Sequence, residues 1–353
     1  MKVAIVGAGL AGRLLAWRLV QHCRDTDQPI AVTLCDRQSR SFMGTGRIAA
    51  AMVAPFTEAV TTESTTRELG VVSWRLWQKW LPQLEAATGH KVEFNQQGTL
   101  VVAHPADLPD WQRFQQKAQA DTPPEAMQYW SQSELQQQEP ELSHAFRQAM
   151  YFPEEGVIDN DSFYKALDTW LDSTQEVTWH EGMECGELSS TGEATRGYLK
   201  ACDEQFDYVF DCRGNDARED QSELRSVRGE VVRVHAPEVN LTRAIRLTHP
   251  RYPLYIAPRP NHHYVIGATT LESDDDSPVT VRSALELLSA LYSLNTGFSE
   301  ARIQFLQAGL RPAFNDNLPR IVREEQLIRI NGLFRHGYLF APALVDEVIQ
   351  SLC

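Results

Sequence analysis

Residues 2–21, KVAIVGAGLAGRLLAWRLVQ, decide the architecture of this chain. Val3–Val6 is a short, apolar, β-branched run, the length of a buried parallel strand. Gly7, Gly9 and Gly12 follow at GxGxxG spacing. Leu10, Leu14, Leu15, Trp17 and Leu19 then recur with a helical period. Strand, glycine turn and helix together read as the opening of a nucleotide-binding βαβ unit. Gly7 permits the tight turn, Gly9 lets a pyrophosphate approach the backbone, and Gly12 lets helix and strand pack closely. Leu10 and Ala11 lie in the first helical turn, where free N–H groups and a partial positive charge attract anions. The next strand, IAVTLCDR (30–37), ends in Asp36 and Arg37. A carboxylate at Asp36 can accept both hydroxyls of an adenosine ribose. The motif does not separate NAD from FAD. A glycine turn without a ligand is the plainer alternative, and the closing acid argues against it.

The 353 residues are 42% hydrophobic and 23% charged, an ordinary soluble composition. A net charge of −14 makes nucleic acid and anionic membrane poor partners. Cys23, Cys35, Cys185, Cys202, Cys212 and Cys353 form no CxxC pair, zinc pattern or disulfide framework. They suit reduced thiols. The N-terminal apolar run is broken by glycines and followed by arginine, without a cleavage pattern. No stretch approaches the length of a membrane span. We read a cytoplasmic protein.

Beyond Asp36, residues 44–52 are rich in small side chains that would let backbone lie against a flat ligand. Residues 64–89 read as a helix, and KVEFNQQGTLVVA (91–103) as a hairpin. Residues 104–140 are polar and peripheral. Tyr208–Phe210 ends at Asp211 with Arg213 and Gly214 following, either a return to the nucleotide-binding sheet or a plain strand and turn. Residues 228–270 are mainly strands, and His262-His263 sits at a hairpin turn with no third metal ligand nearby. Residues 280–294 form an amphipathic helix that would cover a sheet. Leu327–Ile330 reads as a strand, and a last helix is expected to start near Ala341-Pro342. With the nucleotide motif at one end and this loop and helix at the other, both termini are expected to build one domain.

DCRGNDAR (211–218), RGEVVRVHAPEV (228–239), HPRYPLYIAPR (249–259), YVIGATTLES (264–273), GLRPAFNDNLPRI (309–321) and NGLFRHGYLFAPALVDEV (331–348) carry a resemblance that covers nearly the whole chain. In order and spacing they resemble the D-amino-acid oxidase superfamily of FAD-dependent amine oxidoreductases, and within it the glycine oxidases of thiamine biosynthesis. The resemblance implies an α/β fold: a discontinuous Rossmann-like FAD-binding domain and a second, mainly antiparallel mixed-sheet substrate domain. We expect residues 1–85, 145–225 and 300–353 in the first and 86–144 and 226–299 in the second.

The same resemblance implies the roles. Gly7, Gly9, Gly12 and Asp36 hold the ADP half of FAD, with Leu10, Ala11, Arg37 and Gly214 around it. Thr45, Arg47, Ala50 and Met52 line the flavin and ribityl chain. Arg311 forks onto the substrate carboxylate, and Tyr255 adds its hydroxyl, with Tyr252 the rival for that place. Arg335 is the second active-site arginine and also borders the cofactor. His336, Gly337, Tyr338 and Leu339 would stabilise negative charge at the flavin N1–C2=O edge. Many relatives have a small hydroxyl residue at Arg47 or Ile48 and a glycine at Ala51, so the flavin contacts differ in detail here.

The implied reaction is oxidation of a small amino acid, glycine foremost, by hydride transfer to flavin N5. The imine then hydrolyses to glyoxylate and ammonia, and molecular oxygen becomes hydrogen peroxide. A doubly held carboxylate sets the α-carbon one bond from its anchors, which converts orientation into rate. No dedicated base is needed, so His249 and His336 are not assigned one. Crowding by Tyr252, Leu254 and Tyr255 favours a small substrate. Alternatives are a D-amino-acid or sarcosine dehydrogenase with another acceptor, a non-catalytic FAD-binding partner protein and, last, an NAD-dependent dehydrogenase. Oligomeric state is left open.

Overall fold

The computed structural model describes residues 1–62, 64–188, 191–248 and 253–352. A six-stranded sheet runs in the order Arg320–Glu324, Leu327–Asn331, Tyr208–Asp211, Lys2–Val6, Ala31–Asp36, Val177–Glu181. The first pair is antiparallel and the others are parallel. Tyr208–Asp211 therefore does return beside Lys2–Val6. Alternation along the first strand explains why it is apolar throughout. Val3 and Ile5 enter a core with the helices Leu10–Asp25, Ser64–Thr88, Asn160–Ser173 and Gly337–Gln350. Ala4 and Val6 face the opposite layer with Cys35, Leu188 and Val209. A strand covered on both faces reads as a near-continuous hydrophobic run.

Gly7 has φ +99°, and a Cβ there would stand 2.5 Å from the Cys212 carbonyl oxygen. A Cβ on Gly12 would stand 1.8 Å from the Gly7 carbonyl oxygen. The first turn thus lets the Leu10–Asp25 helix start against the sheet only because both positions lack side chains.

The second large sheet has nine strands, antiparallel except where Ala244–Leu247 meets Thr99–Val102. Its spine is Arg225–His235, paired with both His263–Gly267 and Arg302–Ala313. The helix Val281–Leu294 packs Leu287, Leu291 and Leu294 on one face against Val232, Val234 and Ile266. The other face turns Val231, Ala257 and Val265 toward Ile48 and Val157.

The sheets divide the chain differently from the expected boundaries at two places. Gln148–Phe152 and Arg302–Ala313, expected on the nucleotide side, are strands of the nine-stranded sheet. Backbone pairing decides membership: Arg302–Ala313 runs along Arg225–His235 for its whole length. Residues 91–103 do not form a hairpin. Phe94–Asn95 pairs with Gly156–Ile158 in a small sheet, while Thr99–Val102 joins the nine-stranded one. Gly98, at φ +82° and against Phe152, lets the chain change sheets between them. The polar segment 104–140 contains a helix, Leu108–Asp121, anchored by buried Trp111, Phe114 and Ala118.

The last helix begins at Gly337, one turn before the expected start. Pro342 therefore lies inside it and cannot donate to Tyr338, four residues back. The Trp77 indole Nε1–H fills that vacancy, donating to the Tyr338 carbonyl oxygen at 2.8 Å. A proline that would break an isolated helix is accommodated by its neighbour.

Candidate active site

A cleft of about 1150 Å³ runs between the two large sheets, from Gly7 and Asp36 to Tyr255 and Arg311. It exceeds the usual range for one small molecule, roughly 300–1,000 Å³, and suits an extended cofactor together with a substrate.

One end is made mostly of backbone. Gly7, Gly9, Leu10 and Ala11 line it, and a Cβ on Gly9 would meet no protein atom within 4 Å. The space beside Gly9 belongs to the cleft, as close approach of a pyrophosphate requires. Asp36 accepts the Ala8 N–H at 2.5 Å and the Gln38 N–H at 2.7 Å, which ties the phosphate loop to the end of the second strand. Arg37 pairs with Asp216 at 2.7 Å across the rim. Gly214 lines the same end, and Asn215 Nδ2 donates to the Leu310 carbonyl oxygen at 2.6 Å, linking this loop to the strand that carries Arg311.

Residues 44–52 cross the middle. Asn160 Nδ2 donates to the Ala49 carbonyl oxygen at 3.0 Å, Arg259 to that of Ala50 at 2.8 Å, and Tyr338 Oη to that of Gly46 at 3.0 Å. Thr45, Ala50 and Met52 line the cleft on this fixed backbone. Ala51 adopts φ +50°, the left-handed region that favours glycine. Arg47 also lines the cleft, but its guanidinium pairs with Asp168 at 2.5 Å and lies 4.3 Å from the Tyr164 ring centroid. Arg13, from the first helix, shares Asp168 at 2.5 Å.

The other end is built from side chains. Arg311 pairs with no acid among the described residues; its guanidinium lies against Gly229, where a Cβ would clash, and donates to the Thr269 carbonyl oxygen at 3.1 Å. Loss of bulk water, and then the Arg335 charge, push it down to about 9. Tyr255 is 5% exposed, and its hydroxyl has no hydrogen-bond partner among the described residues. A buried hydroxyl without a partner is costly, and a ligand carboxylate would supply the acceptor. Arg335 and Arg246 lie 5.7 and 5.5 Å from the Tyr255 ring centroid.

Glu58 and Arg246 complete this end. Glu58, on the short helix Pro55–Ala59, has its carboxylate 3.4 Å from Arg246, 3.4 Å from His336 Nδ1 and 3.9 Å from Arg335 Nε. Burial pushes its carboxyl up, but Arg335, Arg246 and His336 outweigh that and hold it below the usual range. Burial pushes the His336 imidazole down to about 4, so it is neutral near pH 7 despite Glu58. The N-terminal turn of the last helix, His336, Gly337, Tyr338 and Leu339, faces the cleft beside them. The nearby Glu155 accepts from the Phe56 and Thr57 N–H groups at 2.9 and 2.6 Å, and burial still pushes it up to about 7.

The cleft brings together every residue assigned a site role from the sequence except Gly12, which lies behind it. Gly12 acts through packing, because its Cα faces the Gly7 carbonyl and leaves no room for a ligand. Tyr252, with His249, lies outside the described residues. Glu58 and Arg246 were not singled out from the sequence. Neither sits in a motif; the signal was a lone acid in an apolar, small-residue stretch and an arginine inside a predicted strand.

Comparison with known proteins adds the relationship. The model of the FAD dependent oxidoreductase family matches residues 2–350. A Rhizobium etli protein, assigned provisionally as the thiamine biosynthesis oxidoreductase ThiO, is 35% identical over 352 residues, covering 100% of this chain and 96% of its own. The fold is similar to that of glycine oxidase from Geobacillus kaustophilus, with TM-score 0.84 and 22% identity over 99% of this chain and 94% of that one. It is also similar to that of iminodiacetate oxidase from Chelativorans, with TM-score 0.77 and 20% identity over 99% and 95%.

Proposed function

The chain belongs to the FAD-dependent oxidoreductase family, and from that premise we propose that it oxidises a small amino acid, glycine foremost, to the imine. Hydrolysis then gives glyoxylate and ammonia, oxygen is the electron acceptor, and hydrogen peroxide is formed. The provisional assignment of the Rhizobium etli relative supports a place in thiamine synthesis. Bound FAD would supply the two-electron acceptor. Gly7, Gly9 and the first helical turn would hold its pyrophosphate, Asp36 its ribose, and the turn from His336 to Leu339 the ring edge.

The observation that carries the substrate class is an arginine without an acid and a buried hydroxyl without a partner among the described residues. Arg311 offers a planar fork of donors and Tyr255 one more. A carboxylate satisfies both. Held at two places, the substrate presents its α-carbon in one orientation. The imine would hydrolyse without further help, so no nucleophile is required of the protein.

The test is an anaerobic titration of the purified yellow protein with glycine, followed by its visible spectrum. Bleaching by glycine, and recovery of colour with peroxide release on readmitting air, is the expected result. Bleaching without recovery would move the reading to a dehydrogenase. A yellow protein that glycine, sarcosine and D-alanine all leave unchanged would overturn it.

A further inference from the structure

Glu58 is a buried carboxylate in the wall of the cleft, and its partners among the described residues do not saturate it. Its contacts with Arg246, His336 and Arg335 are 3.4, 3.4 and 3.9 Å, all longer than a good charge-assisted hydrogen bond. Its near neighbour Glu155 shows what a satisfied buried carboxylate looks like in this protein. Glu155 takes two backbone N–H groups and the Thr57 hydroxyl at 2.6–2.9 Å. Glu58 thus retains acceptor capacity in a place where water is scarce.

Its position is as informative as its spare capacity. Glu58 and Tyr255 share two neighbours, Arg246 and Arg335, so the carboxylate lies on the same wall as the unpartnered hydroxyl. The other acids in the cleft wall, Asp36, Glu184, Asp216, Glu219 and Asp276, have no ion pair with these arginines. An α-amino acid needs two kinds of partner: donors for its carboxylate and an acceptor for its amine. Arg311 and Tyr255 supply only the first.

We propose that Glu58 is the amine-recognition residue, accepting a hydrogen bond from the substrate's α-amino group while Arg311 and Tyr255 hold its carboxylate. This rests on the amino-acid reading above and deepens it. Arg246 and Arg335 keep Glu58 charged, and with Arg311 they keep this end of the cleft net positive, so a free carboxylic acid still binds. The amine adds affinity, and the site discriminates an amino acid from the same acid without nitrogen. A hydroxy acid would present one donor in place of two or three and would bind more weakly.

The matched ligands are glycine and acetate, which differ by the amine alone. In the FAD-loaded protein, glycine affinity comes from the concentration dependence of anaerobic bleaching, and acetate affinity from its competition with glycine. Glu58→Gln is expected to weaken glycine by about 10- to 100-fold, the worth of a hydrogen bond to a charged group. Acetate should be unchanged or tighter, because a negative charge has been removed. Glu58→Asp, which keeps the charge but is shorter, should fall between. Equal weakening of both ligands by Glu58→Gln would overturn the proposal and leave Glu58 a structural counter-ion. If Glu58→Gln fails to retain FAD, Glu58→Asp decides by the same split. A wild-type protein that no amino acid bleaches would remove the parent reading and this inference with it.

Discussion

Beside Gly7 and Gly9 the cleft wall is backbone, shaped by the absence of side chains. Beside Tyr255 and Arg311 it is charged and aromatic side chains, held by one another. The difference lies in what each end asks of the chain. A phosphate loop needs free N–H groups and room, which a few consecutive residues provide. A pocket for a small zwitterion needs several different functional groups at fixed separations, and these come from a short helix, three strands of the large sheet and the loop before the last helix. The first end tolerates no added atoms; the second tolerates no lost ones.

Four experiments would break or sharpen that contrast. The largest effect is expected from Arg311→Ala. Losing a forked, charge-assisted contact should lower kcat/KM for the amino acid by about 10³-fold, with FAD retained at full stoichiometry. Loss of FAD as well would mean the two ends are not separable. Gly12→Ala is the counterpart at the backbone end. Its Cβ would overlap the Gly7 carbonyl, and the strain should cost roughly 3 kcal/mol in a urea titration while weakening FAD retention. Wild-type stability would show that the turn can relax. Next, Tyr255→Phe removes one neutral donor and no charge, and should raise KM about tenfold with little change in kcat. A larger loss in kcat would give Tyr255 a role beyond holding the carboxylate.

The smallest effect is one of pH. Burial, and then the Arg335 charge, push the Arg311 guanidinium down to about 9, so a loss of its charge above that pH is the expected outcome. Its conjugate acid is the form that binds a carboxylate, so affinity is full below that value and falls above it. Acetate binding should weaken about fourfold by pH 9.5 relative to pH 7.5, and the effect should vanish in Arg311→Ala. A flat profile in the wild type would mean that Arg311 is better hydrated than its position implies.

The two ends also differed in how far they could be read before the fold was known. GxGxxG and Asp36 form a contiguous pattern, so local physics exposes the nucleotide end directly. Arg311, Tyr255 and Arg335 were legible through resemblance, because nothing in GLRP or FRHG by itself separates a carboxylate grip from a surface arginine. Glu58 and Arg246 were not legible, since their significance lies in meeting each other across 188 positions. The change of sheet at Gly98 was missed because alternating residues on either side of a glycine look alike whether they pair with each other or with distant strands. The early start of the last helix was hidden by Pro342, whose lost hydrogen bond is made good by Trp77.

The six-stranded sheet sets a timetable for the nascent chain. Tyr208–Asp211 is made some two hundred residues after its neighbour Lys2–Val6, and Leu327–Asn331 later still. At ribosomal rates of about 5–20 residues per second, Lys2–Val6 waits on the order of tens of seconds for Leu327–Asn331. During that interval an apolar strand edge is unpaired, and closing so long a loop is entropically slow. The cofactor cradle cannot be complete before the last helix emerges, because Gly7 and Gly337 line one cleft. FAD capture by the complete cradle would thus wait until that helix has been made.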